Sequence, residues 1–333
     1  MTSKNMFTTA EQVKIDQFYA EYGNDVKAKD EYGNTLLHEA AGWEVAIVKD
    51  LVSKGAKVDA KNADGKPPIF EAIGYGKVDV VKFLVSQGAD VNAKANDGAS
   101  ILQYAVAYDH VEMISFLVSK GANVKAKDND GLTVLHTAAR YGNMKVVKLL
   151  VSKGANIHAR NKDGMTVFHR AVEFQRLEVA KFLVAEGAKI DTKDKRGKTP
   201  LHHAGLEFAK YLVSMGTKID AKDKYGDTPL HQAVNAYTNK DLELIKYLVS
   251  KGADVHAKNK SGKTPMLEMG VLSPWDEGVA KFLLSQGADI DAKDEYGNTL
   301  LQCSIRSSVH FPKNQVDYFH WLYPLPNVFW RRV

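Results

Sequence analysis

An all-α solenoid of helix–turn–helix units with finger hairpins is the fold class this 333-residue chain predicts, and three observations predict it. A glycine recurs at Gly33, Gly65, Gly98, Gly131, Gly164, Gly197, Gly226, Gly262 and Gly297, in steps of 32, 33, 33, 33, 33, 29, 36 and 35 residues. Thr-Pro-Leu-His or a close variant follows most of these glycines, and Leu-Val-Ser-Lys-Gly-Ala or a variant comes about twenty residues later. Hydrophobic content of 44% is ordinary for a folded chain. So regular a period makes each unit one supersecondary element that buries its apolar face only against its neighbours.

The elements follow in order. Glu11 to Lys29 reads as a second helix and finger without a first helix, so residues 1–30 are expected to cap the N-terminal end. The solenoid is placed over 31–323 and a tail over 324–333. In the unit from Gly131, that glycine closes a tight turn whose backbone conformation only glycine adopts cheaply. Thr133 stands where a first helix begins, and sister units place Pro200, Pro229 or Pro265 next, the favoured residue for the first helical position. That helix is expected over Val134 to Tyr141, with Ala138 and Ala139 small enough for close packing. Gly142-Asn143 reverses the chain into a second helix, Met144 to Lys153, whose Val146, Val147, Leu149, Leu150 and Val151 form an apolar stripe. Gly154 then caps the helix, as its counterparts do in the other units. A finger runs out to the next unit. Beyond Thr299 the last unit keeps both helices in weakened form.

Thr199-Pro-Leu-His202, Thr228-Pro-Leu-His231 and Gly88-Ala-Asp-Val-Asn-Ala-Lys94 resemble the ankyrin repeat, and the resemblance extends over roughly residues 10 to 323. It implies a curved, right-packed α-solenoid of helix pairs with fingers along one edge. It also implies that the recurring histidines, His38, His136, His169, His202 and His231, hydrogen-bond backbone between units. Metal binding by these histidines is argued against by spacing: equivalents lie about one helix layer apart, about 8–10 Å, too far to share an ion held at about 2 Å. His202 and His203 point in two directions on one helix. In finger Asp90-Val91-Asn92, Asn92 resembles the ankyrin asparagine that some oxygenases hydroxylate.

Composition bounds the rest. The net charge is +5, and only eight of the forty-five basic residues are arginine, whereas strong nucleic-acid binders are usually more basic and more clustered. No apolar run approaches the length of a membrane span, and the first residues lack the apolar core of a secretory signal, so a protein made in the cytoplasm is expected, with delivery by a specialised secretion route left open; the chain is read as a monomer. Cys303 is the single cysteine and is read as a small apolar residue of the last unit. Ala257-Lys-Asn-Lys-Ser-Gly-Lys-Thr264 is spaced like a phosphate-binding loop, but such a loop needs a buried strand before it, and here a solvated finger precedes it. No catalytic triad, zinc-helix motif or dinucleotide turn is present, so no catalytic residue, cofactor or metal is expected.

Three departures from the repeat are candidates for specificity. Tyr75, Tyr108, Tyr141 and Phe174 stand one per unit at the end of the first helix, with Trp43 at the start of this ladder and Tyr237 close to the same position. In ankyrin-like stacks this position borders the concave groove, and tyrosine and tryptophan are frequent binding hot spots. The alternative is that each ring covers its own interhelical turn. The unit from Gly197 is four residues short, and the next two are long, with Asn235–Asp241 and Gly270–Asp276 expanded around Trp275. A cation precedes every repeat glycine by four residues, mostly compensated by a following acid or amide; Lys193, Lys195, Arg196 and Lys198, then Lys258, Lys260 and Lys263, make two later fingers clearly basic.

The expected function is therefore a non-catalytic scaffold that binds an unidentified protein partner through groove and fingers. The alternatives are an electrostatic binder of an acidic surface, and a delivered effector of a host-associated microbe. The aromatic tail Tyr323–Val333 is expected to dock over the open end of the stack or to carry a motif for a partner.

Overall fold

The computed structural model describes residues 7–235, 241–269, 277–300 and 302–303. Among them are sixteen α helices, one 3-10 turn and no strands, apart from four isolated antiparallel bridges. The chain divides into two compact units, one ending at Ala188 and the other beginning at Lys189.

The first unit starts at Thr8, whose hydroxyl accepts from Glu11 N while the Glu11 carboxylate accepts from Thr8 N at 2.8 Å. This reciprocal cap opens α1 (Thr9–Tyr22), which buries Ile15 and Phe18. Five helix pairs follow: α2 (Leu36–Ala41) with α3 (Val45–Ser53), α4 (Ile69–Gly74) with α5 (Val78–Ser86), α6 (Ile101–Ala107) with α7 (Val111–Ser119), α8 (Val134–Tyr141) with α9 (Met144–Ser152), and α10 (Val167–Glu173) with α11 (Leu177–Ala185). First helices pack on first helices and second on second; α1 packs on α3 and so joins the row of second helices. Helix α9 shows what holds a layer: Val146, Val147 and Leu150 are buried, while Leu149 and Val151 are half-buried. Each fully buried side chain of this size contributes about 1.5–3 kcal/mol.

In the second unit, the four-residue deletion removes the second turn of a first helix. What remains is a 3-10 turn, Pro200–His203, leading into α12 (Leu206–Ser214). It is followed by α13 (Pro229–Val234) with α14 (Leu242–Ser250), and α15 (Pro265–Glu268) with α16 (Glu277–Ser285). Pro200, Pro229 and Pro265 each take the first helical position, where a missing N–H costs nothing.

Fingers are stitched backbone to backbone. Asn129 N donates to Asp97 O at 2.8 Å, Lys162 N to Asp130 O at 2.8 Å, and in the second unit Lys260 N to Tyr225 O at 2.8 Å. The repeat glycine permits this approach. At Gly98 φ is +79°, and an added Cβ would lie 2.7 Å from Asn129 N.

The histidines are the second stitch. In the first-helix cap, Nδ1 of His38 accepts from Thr35 N at 3.0 Å, so Nε2 carries the proton and donates to Lys66 O at 3.0 Å in the next repeat. His136 does the same to Met165 O, and in the second unit His202 reaches Asp227 O and His231 reaches Lys263 O. Burial holds His136 and His203 down to about 4 and lowers His38, His202 and His231, so all five are neutral at pH 7. In the repeat from Gly98, Gln103 takes the histidine's place: Oε1 accepts from Ser100 N at 3.0 Å and Nε2 donates to Leu132 O at 3.1 Å.

Candidate functional site

The interhelical turn places one aromatic ring per repeat on the edge of the first unit. Tyr75, Tyr108 and Phe174 each cap a first helix, and Tyr141 is the last residue of α8. Tyr75 is 68% exposed, Tyr108 52%, Tyr141 44% and Trp43 40%; Phe174 is half-buried. Local packing accounts for part of each ring. Tyr108 stacks on His110 with centroids 6.1 Å apart, and Tyr104 meets Phe70 edge-on at 4.8 Å.

Phe174 differs from the tyrosines in having two guanidinium groups over its ring. The guanidinium groups of Arg140 and Arg170 each lie 4.7 Å from its centroid, and Arg170 Nη1 donates to Glu173 at 2.7 Å. Arg140 stands nine residues after one repeat glycine and Arg170 six residues after the next. At the other end of the unit the same two positions hold Gly42 and Gly74, and Glu39 and Glu71. Burial raises both carboxyl groups above their ordinary range; Asp30 and Glu71 add to the effect at Glu39.

The basic fingers of the second unit contain two kinds of lysine. Lys193 Nζ donates to Lys222 O at 2.7 Å, Lys198 Nζ to Gln232 Oε1 at 2.5 Å, and Lys263 stands 3.6 Å from Glu268. Lys195, Arg196, Lys258 and Lys260 are exposed. The cation preceding each repeat glycine was expected to be balanced by a neighbouring acid or amide. Instead the ammonium groups of Lys29, Lys94, Lys127, Lys193 and Lys222 donate to the backbone carbonyl of the equivalent residue one repeat on, at 2.7–3.4 Å. These cations are struts between fingers. A carbonyl some 33 residues away leaves no local mark in the sequence.

Tyr32, Tyr225 and Tyr296, each next to a repeat glycine at a finger tip, are 61–78% exposed and were not singled out by sequence. Asn92 is exposed, and its side chain bridges repeats, accepting from Asn123 N at 2.8 Å and donating to Gly121 O at 3.5 Å. Ala257–Thr264 is a finger tip in which Asn259 Oδ1 accepts from Ser261 N and Lys263 N, and no strand precedes it. Cys303 is half-buried, its Sγ 3.9 Å from Asp294. Tyr237, Trp275 and the tail 324–333 lie outside the described residues. Among the described residues no helix is long and apolar enough to cross a membrane, and no three His, Cys, Asp or Glu side chains converge as metal ligands.

No curated protein matches the chain at a significant level. The family model described as ankyrin repeats (3 copies) matches it in overlapping stretches, 8–95, 37–128, 102–194, 153–223, 168–259 and 230–325. Helix pairs and stitched fingers recur along the described residues, and the chain belongs to the ankyrin-repeat family.

Proposed function

We propose that the chain is a non-catalytic recognition scaffold that binds a protein partner along the aromatic edge of its first unit, the border of the concave groove in an ankyrin stack. Repeats of this family generally mediate protein–protein interactions. The observation that carries the reading is the run of Tyr75, Tyr108 and Tyr141 on consecutive repeats, each 44–68% exposed at the end of a first helix. Aromatic rings held this way give contact area at little entropic cost, because the scaffold has already fixed the backbone. We place this activity in the cytoplasm, with the chain acting as a monomer.

Affinity capture with wild type and a Tyr108→Ala/Tyr141→Ala variant tests it. Loss of a captured protein from the variant is expected, and unchanged capture of every protein would remove the edge from consideration. A second reading is favoured by Lys195, Arg196, Lys258 and Lys260, exposed together with no ion pair among the described residues of the second unit. It makes these fingers a site for an acidic surface. A binding isotherm repeated from low to high salt separates the two, because charge-driven binding weakens steeply with ionic strength.

A further inference from the structure

A cavity of about 240 Å³ opens between the first repeats, walled by Tyr22, Trp43 and Tyr75 and containing Glu39 and Glu71. Its walls are held firmly. Trp43 meets Tyr22 edge-on with centroids 6.1 Å apart, and Phe18 stacks beneath Tyr22 at 4.8 Å. The Tyr75 ring lies against the backbone of Gly42 so closely that a Cβ there would fall 2.8 Å from the ring. His38 at the rim is committed to Thr35 and to Lys66 O, and burial keeps it neutral.

Neither Glu39 nor Glu71 has a hydrogen-bond or ion-pair partner among the described residues. The cation that acts on Glu71 is Lys66, but its ammonium pairs with Asp64 at 3.3 Å and lies over the Tyr104 ring at 5.2 Å. Half-buried carboxylates without a partner cost free energy that a folded protein ordinarily avoids. Aromatic faces beside unpaired carboxylates are complementary to an organic cation.

The chain contains its own reference for the missing group. Around Phe174, the positions six and nine residues after the repeat glycines supply Arg170 and Arg140, and both guanidinium groups approach the ring. Around Tyr75 the same positions hold Glu71 and Gly42, so the ring has a carboxylate and a bare glycine where Phe174 has cations. A guanidinium fits better than an ammonium. It is planar, more weakly hydrated, stacks on rings, and has five donors to divide between two carboxylates.

We propose that this cavity receives an arginine side chain of a partner polypeptide, its guanidinium against the Trp43 and Tyr75 rings and hydrogen-bonded to Glu39 and Glu71. The inference rests on the groove reading, because it gives the chemistry of one anchor at the end of the same aromatic edge.

The test is an amide-shift NMR titration of the full chain with N-acetyl-arginine amide, its neutral citrulline counterpart and the lysine counterpart. Saturable shifts confined to Tyr22, Glu39–Trp43 and Glu71–Gly76 are expected for arginine. Citrulline should bind about tenfold more weakly, the scale of one charge-assisted contact, and so should arginine to an E39Q/E71Q variant. That variant removes two unpaired charges, so its melting temperature should not fall. Equal binding of arginine and citrulline, a lysine probe as tight as arginine, or unchanged affinity of E39Q/E71Q would each overturn the proposal. The two readings fail separately. A partner lost by Y108A/Y141A but fully retained by E39Q/E71Q leaves the groove standing and refutes the arginine anchor.

Discussion

Replacing His136 by glutamine is expected to leave the protein about as stable at pH 7 and to make it distinctly more stable in acid. Gln103 already performs the histidine's task in a neighbouring repeat, joining Ser100 N to Leu132 O with bonds of 3.0 and 3.1 Å. The exchange therefore keeps both hydrogen bonds and removes only the titration. Burial, the first cause, holds His136 down from 6.5 to about 4 in the folded chain, with Arg170 and Lys127 adding like charge nearby. As pH falls below 6.5 the unfolded chain takes up a proton that the folded chain refuses, so stability drops through the window from 6.5 to about 4. At about 1.4 kcal/mol per tenfold difference in proton affinity, this histidine costs roughly 3 kcal/mol by pH 4. Urea denaturation of wild type and His136→Gln at pH 7.5, 6, 5 and 4 measures the difference directly. The two curves should lie within about 1 kcal/mol at pH 7.5 and separate progressively below pH 6, with the variant the more stable. Parallel curves at every pH would refute the assignment of a buried, neutral histidine.

Three further substitutions probe other links. Gly98→Ala forces a Cβ to 2.7 Å from Asn129 N at φ +79°, whereas Gly121→Ala, at φ +90°, meets nothing within 4 Å. Both should lose the roughly 1–2 kcal/mol of a left-handed non-glycine residue, with Gly98→Ala clearly worse in thermal melts; equal losses would contradict the finger packing. Gln175 holds φ +55° where sister repeats have Gly76 and Gly142. Gln175→Gly should therefore raise stability by about 0.5–1 kcal/mol in denaturant titration, and a decrease would count against it. Tyr108→Ala/Tyr141→Ala should shift the melting temperature by only a few degrees, since about half of each ring is exposed. A collapse of the fold would identify the rings as core and not as surface.

Repetition made the scaffold legible. Val134–Tyr141 and the turn at Gly142 coincide with the expected first helix, because local signals (a threonine cap, an apolar stripe, a reversing glycine) determine them. The second helix ends at Ser152, one residue before the expected Lys153. The histidine stitch was legible through the family, and its partners are the expected backbone carbonyls. Contacts between repeats were harder to read. Gln103 looks like a break in the motif, yet it preserves both hydrogen bonds, because an amide spans the same donor and acceptor as an imidazole. In the sequence the lysine struts look like balanced surface charge, because their acceptors are carbonyls about one repeat away. The cavity at Glu39 and Glu71 was missed for a related reason. Its signal is a column down the aligned repeats (Glu39, Glu71, Tyr104, Thr137, Arg170) that reverses charge, and no single repeat displays it.

The most direct test of the recognition edge is hydrogen exchange of the chain with and without a captured partner, read at peptide resolution. The groove reading predicts slowed exchange around Tyr75, Tyr108 and Tyr141, with the fingers at 193–198 and 258–263 unchanged. Protection confined to those fingers, with the aromatic edge exchanging as in the free protein, would contradict it.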